Sequence, residues 1–367
     1  MKVLILSITA GQGHHQTAKA ICECLRQKNV QSDVLDTFEY INPVLSKTVA
    51  KGYLISTQFS PKVYGRLYRI AEKREPRGGK FSISQITNSI LNSKLITYVD
   101  EYDPDVIVCT HIFAAQLVTQ LKEKKQIRAK TIGIVTDFTI HPFWEDAHLD
   151  YYVTASELLN NQASKKGIDV SKILPFGIPI RPVFSKSMTQ KKAREQLKIQ
   201  DKTTVFVMSG SMGYGHVIKS IKALNNSNMD FQIISVCGNN KLLRLKIDKM
   251  VHKKKIYNFG YVDNVEVIMD ASDCIVTKPG GLTISETLAK CLPAILINPI
   301  PGQEDRNVEF LLNNGLALRI SPTFPIDEAL FQLLSSNYRS NSIREAMKYL
   351  GKPNAVEDLV NFIIKLK

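Results

Sequence analysis

Short apolar runs alternate with amphipathic stretches along most of the chain, and this rhythm restricts the fold more than any other feature. In the first half the runs are Val3–Ile8, Ser32–Leu35, Val106–Cys109, Thr131–Val135 and Tyr151–Val153. In the second half they are Val205–Met208, Phe231–Val236, Ile256–Phe259, Cys274–Val276, Ala294–Ile297 and Ala317–Ile320. Short apolar runs read as buried strands and the segments between them as helices, so the expected class is α/β with parallel sheets covered on both faces. Eleven such runs are many for one open sheet. Two doubly wound domains are therefore expected, residues 1–180 and 181–367, divided near Phe176-Gly177-Ile178-Pro179-Ile180-Arg181-Pro182, where glycine and proline suit a hinge. The last helical pattern, Ala355–Lys367, is placed to pack back on the first domain.

In such sheets ligands bind beyond the carboxyl ends of the strands, so the loops after each run carry the functional argument. The strongest is Thr277-Lys278-Pro279-Gly280-Gly281-Leu282-Thr283-Ile284-Ser285-Glu286. It reads as a strand end, a glycine turn and a helix start. A helix start offers unpaired N–H groups and the positive end of the dipole to a phosphate. Glu286, one to two turns into that helix, suits a ribose diol. Pro301-Gly302-Gln303-Glu304-Asp305-Arg306-Asn307 is dense in groups that can hydrogen-bond a sugar. A nucleotide diphosphate carrying a sugar fits both segments.

A second glycine loop, Ala10-Gly11-Gln12-Gly13-His14-His15, follows the first run and opens a helical pattern. It is half of a dinucleotide fingerprint, with Gln16 where the third glycine belongs and no settled acidic partner between Asp33 and Asp36. An imidazole at a helix start is favoured in its neutral form and can act as a base at pH 7. His14 and His15 compete for that role. Asp137, in Thr136-Asp137-Phe138, is a second candidate base, or a group that orients and polarises the imidazole.

Composition narrows the partners. The chain carries 48 Lys and Arg against 34 Asp and Glu, a net charge of +14, which favours anionic partners. Lys62, Arg66, Arg69 and Lys73 form one stripe if their segment is helical, beside Tyr64, Leu67 and Tyr68. That pattern resembles an interfacial membrane helix. No nucleic-acid-binding motif occurs. The six cysteines form no CxxC pair and lie mostly in apolar runs, as expected of reduced, buried thiols in a cytosol; no metal site is expected. No apolar run reaches a membrane span, and Met1–Ile8 is too short for a signal-peptide core.

These motifs, taken as an ordered set over nearly the whole chain, resemble the monogalactosyl- and processive glucosyl-diacylglycerol synthases of plants and low-GC bacteria. More distantly they resemble the GlcNAc transferase acting on lipid-linked muropeptide. The matching residues are Gly11, Gly13, His14 and Ala18; Thr136-Asp137-Phe138 with His141 and Trp144; Phe176-Gly177-Ile178-Pro179; Ser209-Gly210-Ser211-Met212-Gly213; Lys278 to Thr283 with Glu286; and Pro301-Gly302-Gln303-Glu304 with Asn307. The resemblance implies the GT-B arrangement, two Rossmann-like domains facing a central cleft. It implies a UDP-hexose donor, no catalytic metal or cofactor, and inversion at the sugar to give a β-glycosyl-diacylglycerol. By position, Glu286 would hold the ribose. Gly280, Gly281, Leu282 and Thr283, with Ser211, Met212, Gly213 and Lys278, would hold the diphosphate. Val262 would read the uracil, and Gln303, Glu304 and Asn307 the sugar hydroxyls. His14 or Asp137 would act at the acceptor hydroxyl, with Gly11, Gly13, His141 and Trp144 on the acceptor side; plain packing is the alternative role for Trp144. The implied place of work is the inner face of the cell membrane, as a peripheral protein on an anionic surface.

Other classes stay open on the sequence alone. One is transfer of GlcNAc to a polyprenyl-linked acceptor. Another is a soluble-substrate nucleotide-sugar enzyme such as an epimerase, which leaves the basic-aromatic segment unused. A non-catalytic sensor would not need His14 and Asp137.

Overall fold

Lys2–Ser7 forms strand β1 because all but its first residue is buried from both sides, which a run of Val, Leu and Ile satisfies. β2 (Gln31–Asp36), β3 (Val106–Cys109), β4 (Lys130–Ile134), β5 (Tyr151–Val153) and β6 (Ile173–Leu174) join it in the order β2-β1-β3-β4-β5-β6, every pairing parallel. The computed structural model describes residues 1–9, 12–42, 89–208, 210 and 217–366. Two units divide the chain: Met1–Pro182 with Pro301–Gln303 and Asn354–Lys367, and Val183–Ile300 with Glu304–Pro353.

In the first unit the register sets Val3 beside Val106 and Leu6 beside Cys109, so β1 and β3 end at the same level. The helix Gln12–Gln27 turns Ala18, Ile21, Cys22, Cys24 and Leu25 onto the sheet. The helix Ala355–Lys365 covers the same core with Val356, Leu359, Val360 and Ile363, all fully buried at the spacing of one helical face. Truncating the leucine among them, Leu359→Ala, removes a fully enclosed side chain and costs about 2–5 kcal/mol.

The second unit repeats the plan. β7 (Thr204–Met208), β8 (Gln232–Val236), β9 (Ile256–Phe259), β10 (Cys274–Thr277), β11 (Ala294–Leu296) and β12 (Ala317–Arg319) pair in the order β12-β11-β10-β7-β8-β9, again parallel throughout. Asp270, in the helix Val265–Ala271, and Lys290, which ends the helix Gly281–Ala289, form a buried ion pair at 2.9 Å, their side chains 6% and 1% exposed. The Lys290 ammonium also donates to the Lys186 carbonyl. Deleting one member of such a pair leaves a buried charge and costs about 3–5 kcal/mol.

β6 is a twelfth strand that the apolar pattern does not reveal. Two residues are too few to show a period, and only its pairing with Tyr152 and Val153 of β5 defines it. All six cysteines are free thiols, five of them buried. Burial pushes the Cys109 and Cys274 thiols well up, which keeps them protonated and inert. Among the described residues no helix is long and apolar enough to cross a membrane. Lys62, Arg66, Arg69 and Lys73, and with them Gly11, Ser211, Met212 and Gly213, lie outside the described residues.

Candidate active site

In the first unit the site is built where β1 to β4 end. After β1, the Thr9 N–H donates to Asp36 Oδ2 at 3.0 Å and the Thr9 hydroxyl donates to the same oxygen. Asp36 closes β2 and also caps the helix Thr37–Ile41, its Oδ1 accepting from the Glu39 N–H. One carboxylate thus pins the segment that leads into the helix Gln12–Gln27. Gly13 and His14 stand in that helix's first turn, both half-buried.

His14 Nδ1 lies 2.8 Å from the carbonyl of Thr110, the residue after β3, and 3.2 Å from Thr136 Oγ1, beyond β4. A carbonyl only accepts, so Nδ1 carries the proton and Nε2 presents a lone pair. Burial lowers the His14 pKa below its ordinary value, against the raising effects of the Thr110 carbonyl and the Asp137 charge. The ring is therefore neutral at pH 7 with its basic nitrogen fixed. His15 has a different electrostatic setting. Burial and Lys19 lower its pKa, with Asp36 and Glu39 acting the other way, and its buried Nδ1 has no hydrogen-bond partner.

Asp137 is half-buried and acts on His14 through its charge. At Nδ1 the imidazole is held by the Thr110 carbonyl and the Thr136 hydroxyl. Asp137 Oδ2 accepts from the Gln303 amide at 3.1 Å, Gln303 being one of the residues that belong to the first unit.

Two further histidines join His14. His111 caps the helix Ile112–Glu123 and His141 caps the 3₁₀ turn Pro142–Asp146, each Nδ1 accepting the N–H two residues on at 3.1 Å. Burial lowers the pKa of both. For His111 the charges of His14 and His141 add to it; for His141 the Lys166 ammonium does, bringing it to about 4. The His14 and His111 rings meet edge to face at 4.5 Å. Phe38, Phe113 and Phe143, all half-buried, run alongside with ring separations of 6.1 Å and 6.4 Å. Among the described residues no group of His, Cys, Asp or Glu is arranged to hold a metal ion.

Trp144 is a correction to the sequence reading. It is 4% exposed, packs edge-on to Tyr152, and presses on Gly133 of β4 so closely that a Cβ there would sit 2.6 Å from its ring. It belongs to the core beneath the site, because the chain after His141 turns inward through buried Pro142. His111 and Thr110 were missed. The available signal was a histidine where a strand gives way to a helix start, the setting that His14 shares across its longer glycine loop.

In the second unit Met208 of β7 and Thr277 of β10 are register partners, so the chain leaves both strands at one place. Gly210 there has φ +64°, a conformation that glycine adopts without strain. Gly280 is the N-cap of the helix Gly281–Ala289 and offers no side chain to its first turn. The amides of Gly281, Leu282 and Thr283 thus precede the first intrahelical bond, Ile284 N–H to Gly280 O. Glu286 and Lys278 are half-buried on either side of this turn, and Val262 is half-buried beyond β9.

Glu304 and Asn307 brace the turn. The Asn307 amide is fully buried and donates to the Pro279 carbonyl at 2.9 Å. Glu304 is 9% exposed, accepts from the Ile300 N–H at 2.7 Å, and brings Oε1 to 3.8 Å from where a Cβ on Gly280 would stand. Asn307 therefore shapes the glycine turn from below, where the sequence had suggested a sugar contact.

Residues 14–180 match the family described as monogalactosyldiacylglycerol (MGDG) synthase, and residues 204–354 the glycosyltransferase family 28 C-terminal domain. A processive diacylglycerol beta-glucosyltransferase of Bacillus licheniformis is 30% identical over 376 residues, covering 99% of this chain and 94% of its own length. Among solved structures, MurG of Acinetobacter baumannii superposes with a TM-score of 0.63 at 14% identity, covering 99% of both chains. A UDP-GlcNAc 2-epimerase from Neisseria meningitidis, bound to UDP-GlcNAc, gives 0.60 at 17% identity with full coverage of both. At these identities the two structures speak for the fold alone, which is GT-B.

Proposed function

The chain belongs to the glycosyltransferase family of the processive diacylglycerol beta-glucosyltransferases and MGDG synthases, and on that premise we propose that it transfers a hexose from a UDP-sugar to the free hydroxyl of diacylglycerol, inverting the anomeric carbon. The observation that carries the reading is the His14 Nδ1 bond to the Thr110 carbonyl, which leaves Nε2 as a base at the strand ends.

An acceptor hydroxyl is a weak nucleophile and needs its proton removed as it attacks. His14 Nε2 takes that proton, the hydroxyl oxygen bonds to the sugar C1, and the bond from C1 to the β-phosphate oxygen breaks with its electron pair leaving on UDP. The imidazolium that forms is stabilised by the Asp137 charge. On the donor side the Gly281, Leu282 and Thr283 amides, the dipole of their helix and the Lys278 ammonium receive the diphosphate. Glu286 takes the ribose hydroxyls. This distribution of charge calls for no metal ion or cofactor.

The half-buried row Phe38, Phe113 and Phe143 beside the histidines suits the apolar body of a lipid better than a soluble sugar. A lipid acceptor cannot leave the interface, so the protein works as a peripheral enzyme at the inner membrane face. The net charge of +14 favours an anionic surface. The test is incubation with several UDP-hexoses and diacylglycerol in vesicles, with the product identified by mass. A hexosyl-diacylglycerol supports the reading; free UDP-sugar turnover with no lipid product refutes it. Binding to anionic vesicles should weaken as salt rises.

A further inference from the structure

We propose that His111 is a positioning residue for His14: its ring forms the wall that holds the His14 imidazole in one orientation, so that only Nε2 is available to the acceptor hydroxyl. The inference rests on the base assigned to His14 above and adds the part that keeps this base in place.

His111 is held by bonds of its own. Its Nδ1 accepts the Phe113 N–H at 3.1 Å, so that nitrogen is unprotonated and the proton sits on Nε2. Adding a second proton would place N–H against N–H and undo the cap. The ring is held on both sides: His14 meets it edge to face at 4.5 Å with an interplanar angle of 67°, and Phe113 lies 5.0 Å away on another flank. The backbone is held too. The Ala115 N–H donates to the His111 carbonyl, and the Thr110 N–H donates to the Leu6 carbonyl at 3.0 Å, continuing the β1–β3 ladder.

Thr110 and His111 are therefore one rigid step of chain that grips His14 twice. The carbonyl of Thr110 fixes which nitrogen carries the proton. The ring of His111 opposes rotation of the imidazole and keeps water from that flank. A ring flip in His14 would put Cδ2 in place of Nδ1 and Cε1 in place of Nε2, breaking the bond to the Thr110 carbonyl that fixes the tautomer and taking the basic nitrogen out of position. Asp137 is the titratable group that acts on His14, and His141 and His14 are those that act on His111.

A mere helix cap would account for His111 Nδ1 but would give its ring no effect on His14. The two roles separate in His111→Asn, because asparagine is a good N-cap and has no ring. Thermal melting checks that the variant folds, and His111→Ala, which loses cap and ring, gives the reference for cap loss. In the His111→Asn variant kcat should fall about tenfold or more, the usual reach of a misplaced catalytic group, with KM for the UDP-sugar unchanged. The acid limb of kcat should move to higher pH, as a better hydrated His14 regains its ordinary value. A second readout needs no activity: long-range ¹H–¹⁵N spectra of histidine-labelled protein, with His14 assigned through His14→Ala. The unliganded protein should show the Nδ1–H tautomer alone, and the His111→Asn variant a mixture. If His14→Ala retains transfer, the base assignment fails, while the tautomer spectra still decide what His111 does. An unchanged His14 tautomer in a folded His111→Asn variant overturns the proposal.

Discussion

Replacing His141 with asparagine should flatten the dependence of stability on acid. In the folded protein burial holds the His141 pKa at about 4, with the Lys166 ammonium adding to the effect, against 6.5 for the free side chain. At pH 7 the ring is neutral in both states and contributes nothing to the pH dependence. As pH falls below 6.5 the unfolded chain takes up a proton that the folded chain refuses. Stability is then lost until pH reaches about 4, where the folded form protonates too. One pKa unit corresponds to about 1.4 kcal/mol, so the loss at pH 5 attributable to this one residue is about 2 kcal/mol. Asparagine keeps the cap that His141 Nδ1 makes to the Phe143 N–H, and it does not titrate. The assay is urea unfolding of wild type and His141→Asn at pH 7 and pH 5. The drop between the two pH values should be about 2 kcal/mol smaller in the variant. His14 and His111, whose pKa values are also lowered by burial, titrate in both proteins and leave the difference standing. Equal drops in the two proteins refute the reasoning.

Glu286→Ala should weaken UDP binding about tenfold or more, since a ribose hydrogen bond to a carboxylate is worth about 1.5–3 kcal/mol; calorimetry showing unchanged affinity removes the ribose assignment. Saturating chelator should leave transfer within about twofold of the untreated rate if helix amides and Lys278 carry the leaving-group charge. A loss restored by a divalent cation points to metal assistance. Gly133→Ala forces a methyl into the Trp144 ring and should destabilise the protein by about 1–3 kcal/mol. A neutral result in chemical denaturation means that the tryptophan moves aside at little cost.

Much of the fold was legible because the central strands β1, β3, β7 and β10 are nearly continuous apolar runs, and helices such as Ala355–Lys365 have a 3.6-residue apolar face. β6 escaped because its two residues carry no period and owe their strand geometry to β5. At the site, local chemistry was legible and long-range partnership was not. His14 stands out as a histidine after a glycine turn, but the carbonyl that fixes its tautomer is 96 residues away and any residue type could have supplied it. His111 was hidden by an ordinary strand-to-helix junction. Trp144 and Asn307 sit in motif-like runs beside half-buried neighbours, and only burial distinguishes a side chain that meets ligand from one that braces the residues that do. The turn at Gly280 was readable from its glycines, whereas its support by Asn307 through the Pro279 carbonyl required the folded geometry.

A neutral His14 acting as the base is tested most directly by the transfer rate of His14→Ala beside its affinity for UDP. A general base contributes about 10²–10⁴ in rate, so transfer to diacylglycerol should fall by that factor while UDP affinity by calorimetry stays within about threefold. A loss below about tenfold, or a large loss in His15→Ala in its place, contradicts the account.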